Sequence, residues 1–246
     1  MDELKKFRKP HPSIVILTGA GISAESGIRT FRDHNGLWEN HRIEEVATPD
    51  GFARNPQLVQ EFYNQRRRQL KEPSIAPNPA HLALARLERE WKGEFLLVTQ
   101  NVDDLHDRAG NTHLLHMHGE LLSALCLECR QRARWEADLS ERDTCLACGR
   151  AGYLRPDIVW FGEMPYHMGR ILEALCRCDI FLSIGTSGQV YPAAGFVREA
   201  VNAERIEVNK DPTDISDAFH EHRIGPAGRE VPRLVEELLG SRAPAP

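Results

Sequence analysis

Apolar residues gather in four short runs, at 14–17, 95–98, 180–184 and 205–208. Runs of that length, rich in Ile, Val, Leu and Phe, read as strands buried on both faces. Between them the period changes. Leu82, Leu84, Ala85 and Leu87 predict a helix over 81–91, and similar patterns predict helices over 168–176, 193–203 and 230–239. Strands alternating with helices predict an α/β fold, a Rossmann-like parallel sheet with helices on both faces. Two stretches break the alternation. Residues 38–71 look helical and charged, and the Pro-rich 73–79 brings the chain back. Residues 121–153 carry four cysteines and too few apolar residues to fold by burial alone. The expected organisation is a single domain, 1–246. Its large lobe is 1–37, 76–120 and 155–240, and a small lobe combines a helical insertion, 38–75, with a four-cysteine module, 121–154.

Composition narrows the class. The chain has 246 residues, 41% hydrophobic and 27% charged, with a formal net charge of -5. That is ample for a packed core, and the acidic balance argues against an obligate nucleic-acid binder, which usually carries a basic excess. No secretory h-region precedes the first strand, and no run reaches the roughly 18 apolar residues of a membrane span. A cytoplasmic protein with no membrane partner is expected.

Three kinds of chemistry stand out. The run Thr18-Gly19-Ala20-Gly21-Ile22-Ser23-Ala24 follows the first strand directly. Glycines there let the backbone turn tightly and approach a pyrophosphate seated on the amides of the next helix. Alone, the run reads equally as a tight strand-to-helix turn. A hydride-transferring enzyme would show an acidic residue about 20 positions on, at the end of a second strand. Glu39, Glu44 and Glu45 lie in that region, but 36–49 has no strand pattern. The pattern therefore suits NAD without hydride chemistry.

The second is Cys126-x2-Cys129-x15-Cys145-x2-Cys148. Four thiolates at this spacing suit one tetrahedral zinc, and four protein ligands leave no open position for water, so the ion should be structural. Four reduced core cysteines fit badly beside the polar Glu128, Arg130, Gln131 and Arg132. The third is a set of polar loops after strands. Gln100-Asn101-Val102-Asp103 follows the second run, Gly185-Thr186-Ser187 the third, and Asn209-Lys210-Asp211 the last. Open parallel sheets bind ligands at that edge. His118, within His116-Met117-His118-Gly119-Glu120, is a candidate general base because its ordinary pKa lies near working pH. It is one of eleven histidines, and a metal site of His113, His116 and His118 is a weaker alternative.

Taken in order, these residues resemble the sirtuin family. The matching runs are Gly-Ala-Gly-Ile-Ser-Ala-Glu-Ser-Gly-Ile-Arg-Thr-Phe-Arg at 19–32, Thr-Gln-Asn-Val-Asp at 99–103, His118-Gly119-Glu120, the two Cys-x-x-Cys pairs, Val159-Trp160-Phe161-Gly162-Glu163, Gly185-Thr186-Ser187 and Asn209. They cover most of the chain, which looks like a short bacterial member. The resemblance implies a Rossmann-like large domain, a small zinc-and-helix lobe, and NAD and an acyl-lysine protein or peptide bound in the cleft between them. It implies that NAD is consumed. The acyl oxygen attacks C1′ of the nicotinamide ribose, a histidine matching His118 deprotonates a ribose hydroxyl, and water resolves the intermediate to lysine and O-acyl-ADP-ribose. By the same resemblance Asn101 would help place water or ribose, and Asp103 would hold the carboxamide. Gly19, Ala20, Gly21, Ile22, Ala24, Phe31, Arg32, Trp38, Gln100, Gly185, Thr186, Ser187, Asn209, Lys210, Asp211 and Ala227 would line the cofactor. Val159, Trp160, Phe161, Gly162 and Glu163 would pair with the substrate backbone as an added strand.

Many sirtuins have Gly-Ile-Pro-Asp-Phe-Arg where this chain has Gly27-Ile28-Arg29-Thr30-Phe31-Arg32. The variant accompanies a Tyr-x-x-Arg pair, present here as Tyr63 and Arg66. Helix positions three apart share a face, and Arg and Tyr together grip a carboxylate, so a succinyl- or malonyl-selecting pocket is expected. Without the resemblance, Arg66, Arg67 and Arg68 read as a solvated basic face. A monomer is expected. The competing functions are a mono-ADP-ribosyltransferase using the same cleft, an NAD-dependent oxidoreductase, and a zinc-ribbon binding module.

Overall fold

The computed structural model describes residues 11–28, the backbone of 37–38, and residues 41–240. Its strands are β1 (Ile14–Thr18), β2 (Leu37–Trp38), β3 (His41–Arg42), β4 (Phe95–Thr99), β5 (Leu114–His116), β6 (Gly119–Cys126), β7 (Arg132–Arg134), β8 (Leu154–Ile158), β9 (Ile180–Ile184), β10 (Glu204–Asn209) and β11 (Glu221–Ile224). The α-helices are α1 (Ala20–Ser23), α2 (Ile43–Val46), α3 (Pro49–Arg54), α4 (Pro56–Gln69), α5 (Pro79–Glu90), α6 (Leu105–Ala109), α7 (Met168–Arg177), α8 (Phe196–Glu199) and α9 (Ala227–Gly240).

All four apolar runs are strands of one parallel sheet, ordered β11-β10-β9-β1-β4-β5. The expected α/β architecture is therefore present. Successive side chains of a strand point to opposite faces, so β1 divides its apolar residues between two cores. Ile14 and Ile16 pack with Leu84 and Leu87 of α5 and with Val231 and Leu234 of α9. Val15 and Leu17 pack with Ile171 and Leu175 of α7 and Phe196 of α8. From β1 the chain first builds the sheet toward β5, then crosses back to lay β9 on the other flank. The order reverses between β1 and β9, and an open α/β sheet presents a crevice there, at the strands' carboxyl ends.

Two expectations change. The helix expected over 193–203 is a 3-10 turn, Ala193–Gly195, and the four residues of α8. The chain leaves the helix at Ala200 so that Glu204 can bond to Asp179 and open β10 beside β9. The large lobe was expected to resume at 155, yet β8 pairs antiparallel with β6 in a separate sheet, β7-β6-β8. Arg155 and Asp157 are polar but buried there, which hides the strand from a hydrophobicity reading.

That second sheet shares a core with the helical segment. Val59, Phe62 and Tyr63 of α4 pack with Leu121, Ile158 and Trp160. Arg67, which without the resemblance reads as part of a solvated face, is 0% exposed. It donates to the Leu121 carbonyl at 3.0 Å and to Asn64 Oδ1 at 2.6 Å, and burial lowers its pKa to about 10. Only Arg68 meets the solvated reading, paired with Glu61 and Asp138 at the surface. Among the described residues, no helix is long and apolar enough to cross a membrane.

Candidate active site

The crevice is built by a junction with no room for side chains. The amides of Gly19 and Gly21 donate to the carbonyls of Ile184 and Gly185, at 3.0 and 2.9 Å. A Cβ on Gly19 would lie 2.8 Å from the Gly185 oxygen, and one on Gly21 would lie 2.7 Å from Gly185 Cα. Gly185 itself has φ +63, a left-handed conformation that glycine adopts without strain. The glycine loop after β1 is thus locked to the loop after β9. Ala20, Gly21 and Ile22 lie in α1 with Ser23, and Ala24 follows it.

The next loop joins this junction through side chains. Asn101 Nδ2 donates to the Gly19 carbonyl at 3.1 Å and to Ser23 Oγ at 3.0 Å. Ser23 Oγ in turn donates to Asp103 Oδ2 at 3.0 Å, while Asp103 Oδ1 accepts the Leu105 amide at 3.1 Å. Burial raises the Asp103 carboxyl to about 6, although both hydrogen bonds favour the ionised form. Gln100 supplies the carbonyl that His118 Nδ1 reaches at 3.1 Å. A carbonyl only accepts, so the neutral ring carries its proton on Nδ1 and keeps the lone pair on Nε2. Burial lowers the His118 pKa, with the Gln100 bond acting the other way. The ring is therefore neutral at neutral pH, the state a general base needs.

On the β9 side, Thr186 is buried and Ser187 half-buried. Asn209 Nδ2 donates to the Thr186 carbonyl at 2.6 Å, tying the end of β10 to the same loop. Lys210 and Asp211 are exposed, and Ala227 is buried at the start of α9. Phe31 and Arg32 lie outside the described residues, as does the side chain of Trp38. Glu44 and Glu45 are exposed on α2, which follows no strand of the main sheet, and Glu39 lies outside the described residues.

Residues 159–163 leave β8 as an irregular turn. The amides of Val159, Trp160, Phe161 and Glu163 are taken by the His118 carbonyl, Glu163 Oε2, the Ala47 carbonyl and the Trp160 carbonyl. Gly162 has φ +90 and Phe161 is 46% exposed. Tyr63 is fully buried, and burial raises its pKa despite the opposing effect of the neighbouring Trp160, Arg155 and Arg66. Arg66 curls along α4, donating to the Phe62 carbonyl with its guanidinium 3.4 Å from the Phe62 ring centroid.

Sequence reasoning missed Ser23 as the bridge between Asn101 and Asp103, although it sits inside the glycine run. It also missed Arg155, which grips Glu163 with two 2.8 Å bonds. Its one signal was a cation between the apolar Leu154 and Ile158. His106 was passed over as well; its Nε2 lies 3.0 Å from Thr18 Oγ1, at the last residue of β1.

The four cysteines come together as spaced. Their sulfurs all lie within 4.8 Å of one another, with Cys126 to Cys148 at 3.8 Å and Cys129 to Cys145 at 3.7 Å. A tetrahedron with Zn–S bonds of about 2.3 Å has edges of about 3.8 Å. Donor type, number and spacing all fit structural zinc. His113 and His116 instead pair with Glu88 and Asp107, and among the described residues the group that could hold a metal is the four cysteines.

Comparison with known proteins gives a consistent result. The model of the Sir2 family matches residues 19–192. An NAD-dependent protein deacylase of Bdellovibrio bacteriovorus is 64% identical over 227 residues, 92% of this chain and 97% of that one. The crystal structure of a Sir2 homolog–NAD complex superimposes with TM-score 0.84 at 38% identity, covering 94% of this chain and 91% of that chain. Sir2Af2 bound to a myristoylated histone peptide matches with TM-score 0.72 at 35% identity, covering 94% and 92%.

Replacing Cys145 with Ser is expected to lower bound zinc, read by elemental analysis, well below one per chain and to lower the thermal midpoint by several degrees. Retention of one zinc per chain would contradict the site.

Proposed function

The chain belongs to the Sir2 family, and we propose that it is an NAD-dependent protein-lysine deacylase acting on acetyl, succinyl and malonyl groups. The observation that carries this reading is the continuous hydrogen-bonded path from the glycine loop through Asn101, Ser23 and Asp103, in a loop whose Gln100 carbonyl orients His118. It joins the glycine loop to a neutral imidazole on one sheet edge. The deacylase relative and the homologous NAD complex support it.

NAD bound there would supply an electrophilic ribose carbon for the acyl oxygen, with nicotinamide as leaving group and water as the further reactant, giving nicotinamide, free lysine and O-acyl-ADP-ribose. The chain's own groups bind and move protons. Gly19, Ala20, Gly21, Ile22 and Ala24 line the phosphates, together with Phe31, Arg32 and Trp38. Gly185, Thr186, Ser187, Asn209, Lys210, Asp211 and Ala227 enclose the rest of the cofactor. Asp103 accepts from the carboxamide, and Asn101 holds Gly19 and orders water or ribose. His118 Nε2 takes the proton of a ribose hydroxyl. Val159, Trp160, Phe161, Gly162 and Glu163 receive the substrate peptide. The small lobe of helices and zinc module closes the cleft from the other side.

Acyl preference falls to Tyr63 and Arg66. A carboxylate would compete with the neutral Phe62 carbonyl for the Arg66 guanidinium, and charge-assisted bonds are roughly twice as strong as neutral ones. Six cysteines free of disulfides suit a reducing, cytoplasmic compartment, and the reading needs only a monomer.

His118→Ala is expected to cut NAD-dependent deacylation by about 10²-fold or more with the unfolding transition preserved. Comparable turnover by the folded variant would remove His118 as the base. Arg66→Met is expected to lower kcat/KM for a succinyl-lysine peptide by roughly one to two decades more than for its acetyl counterpart. Equal losses on both peptides would contradict a carboxylate-binding Arg66.

A further inference from the structure

Strand β10 carries a buried carboxylate between two apolar residues. Ile206 and Val208 pack into the core that α9 covers. Glu207, between them, points to the opposite face and is 1% exposed. Burying a charge inside a sheet is costly unless it is paired or hydrogen-bonded. Among the described residues its ion-pair partner is the exposed His222, whose Nδ1 donates to Oε2 at 3.2 Å. The other donors come from the strand end and the turn that follows it. Thr213 Oγ1 donates to Oε1 at 2.8 Å, and Ser216 Oγ donates to Oε2 at 2.5 Å. Asn209 Nδ2 also donates to Oε1, at 3.4 Å. An ionised carboxylate only accepts and has about four lone-pair sites, so these donors satisfy it.

The same donors bound the crevice on the β9 side. Asn209 stands two positions after Glu207 and so on the same face of β10, and its amide nitrogen also donates to the Thr186 carbonyl at 2.6 Å. An amide nitrogen held by two acceptors fixes which way the side-chain oxygen points. Thr213 and Ser216 close the turn after β10, where the Thr213 amide donates to Ser216 Oγ at 2.8 Å. That turn carries Asp214, which accepts from Gln189 Nε2 at 3.1 Å. It also carries Ile215, which lies so close to Gly188 that a Cβ there would fall 2.6 Å from Ile215 Cγ1. One carboxylate therefore anchors the turn after β10, and the turn abuts the loop after β9.

We propose that Glu207 is a positioning residue for the dinucleotide. It holds Asn209 and the 210–216 turn against the 185–189 loop, so that the two loops present one fixed surface to NAD. The inference rests on the reading of Thr186 and Asn209 as cofactor-lining residues. Glu207 itself touches no substrate and takes no part in the chemistry, which belongs to His118 beside the loop after β4. Its removal loosens cofactor binding and leaves turnover at saturating NAD alone. Methionine at position 207 has a similar volume but offers no oxygen to these donors. Glutamine keeps a carbonyl oxygen for Asn209 and Thr213 and can donate to the Ser216 hydroxyl.

The test reads kcat and the KM for NAD with one acyl-lysine peptide, and the affinity for ADP-ribose by calorimetry. The proteins are the unsubstituted enzyme, Glu207→Met, Glu207→Gln, Asn209→Ala and the pair Thr213→Val with Ser216→Ala. Glu207→Met is expected to raise the KM for NAD and weaken ADP-ribose binding by roughly three- to tenfold, with kcat changed less than about twofold. Glu207→Gln should recover most of that loss, and the Thr213 and Ser216 pair should reproduce part of it. Adding Glu207→Met to the pair should cost less than the same substitution made alone. Unchanged ADP-ribose affinity in Glu207→Met, a fall in kcat in place of a rise in KM, or equal losses in the Met and Gln variants overturns the inference. If Asn209→Ala weakens ADP-ribose binding and Glu207→Met does not, the cofactor surface stands and the role of Glu207 falls. If neither weakens it, the placement of Asn209 on NAD falls and takes the inference with it. Should Glu207→Met fail to fold, the Thr213 and Ser216 pair decides, and unchanged ADP-ribose affinity there overturns the inference.

Discussion

Backbone meets backbone between β1 and β9, and the rest of the site hangs on that approach. Gly19 and Gly21 lie against Gly185 at distances where a Cβ would fall within 3 Å of main-chain atoms. Those three glycines let two strand-end loops share hydrogen bonds instead of diverging. From that junction the site propagates outward by side chains. Asn101 reads the Gly19 carbonyl, Ser23 passes the connection to Asp103, and the backbone of Gln100 sets the tautomer of His118. A side chain at any of the three glycines would disturb the series, because Asn101 and Ser23 tie the glycine loop to the loop that carries Gln100 and Asp103.

The small lobe obeys a different constraint. It has little apolar material around the cysteines, and its apolar cluster there is confined to a few residues such as Ala124, Leu139 and Leu154. Four sulfurs at tetrahedral spacing would supply the missing cross-links through a shared zinc ion. The helical segment anchors to the module through buried polar bonds, from Gln60 to Leu154, Asn64 to Leu139 and Arg67 to Leu121. A buried polar group left without a partner costs about 1–3 kcal/mol. This network therefore fixes the register of α4, and with it the positions of Tyr63 and Arg66.

How much was legible in the sequence follows from range. Strands β1, β4, β9 and β10 were legible because burial on both faces leaves uninterrupted apolar runs. The cysteine cluster was legible because a tetrahedral ligand set dictates short spacings. Strand β8 was obscured because Arg155 and Asp157 are buried in it, one against Glu163 and the other against Ser123 and Tyr166. Arg67 and Arg68 are chemically alike and adjacent. Which one is buried depends on the Leu121 carbonyl, 54 positions away. The contact of Trp160 with Tyr63 was invisible for the same reason, since nothing local to either residue announces the other. The short α8 escaped because its apolar pattern ran on to 203, whereas the chain must leave the helix at Ala200 to reach β10 at Glu204.

The central claim is that NAD is consumed as the acyl acceptor, and the balance of products tests it most directly. Purified protein, NAD and one acyl-lysine peptide would be incubated together, and nicotinamide, deacylated peptide and O-acyl-ADP-ribose quantified in the same samples. Equal molar amounts of all three, with no NADH, are the predicted result. ADP-ribose retained on protein with the acyl group still on lysine, or deacylation that proceeds without NAD, would contradict it.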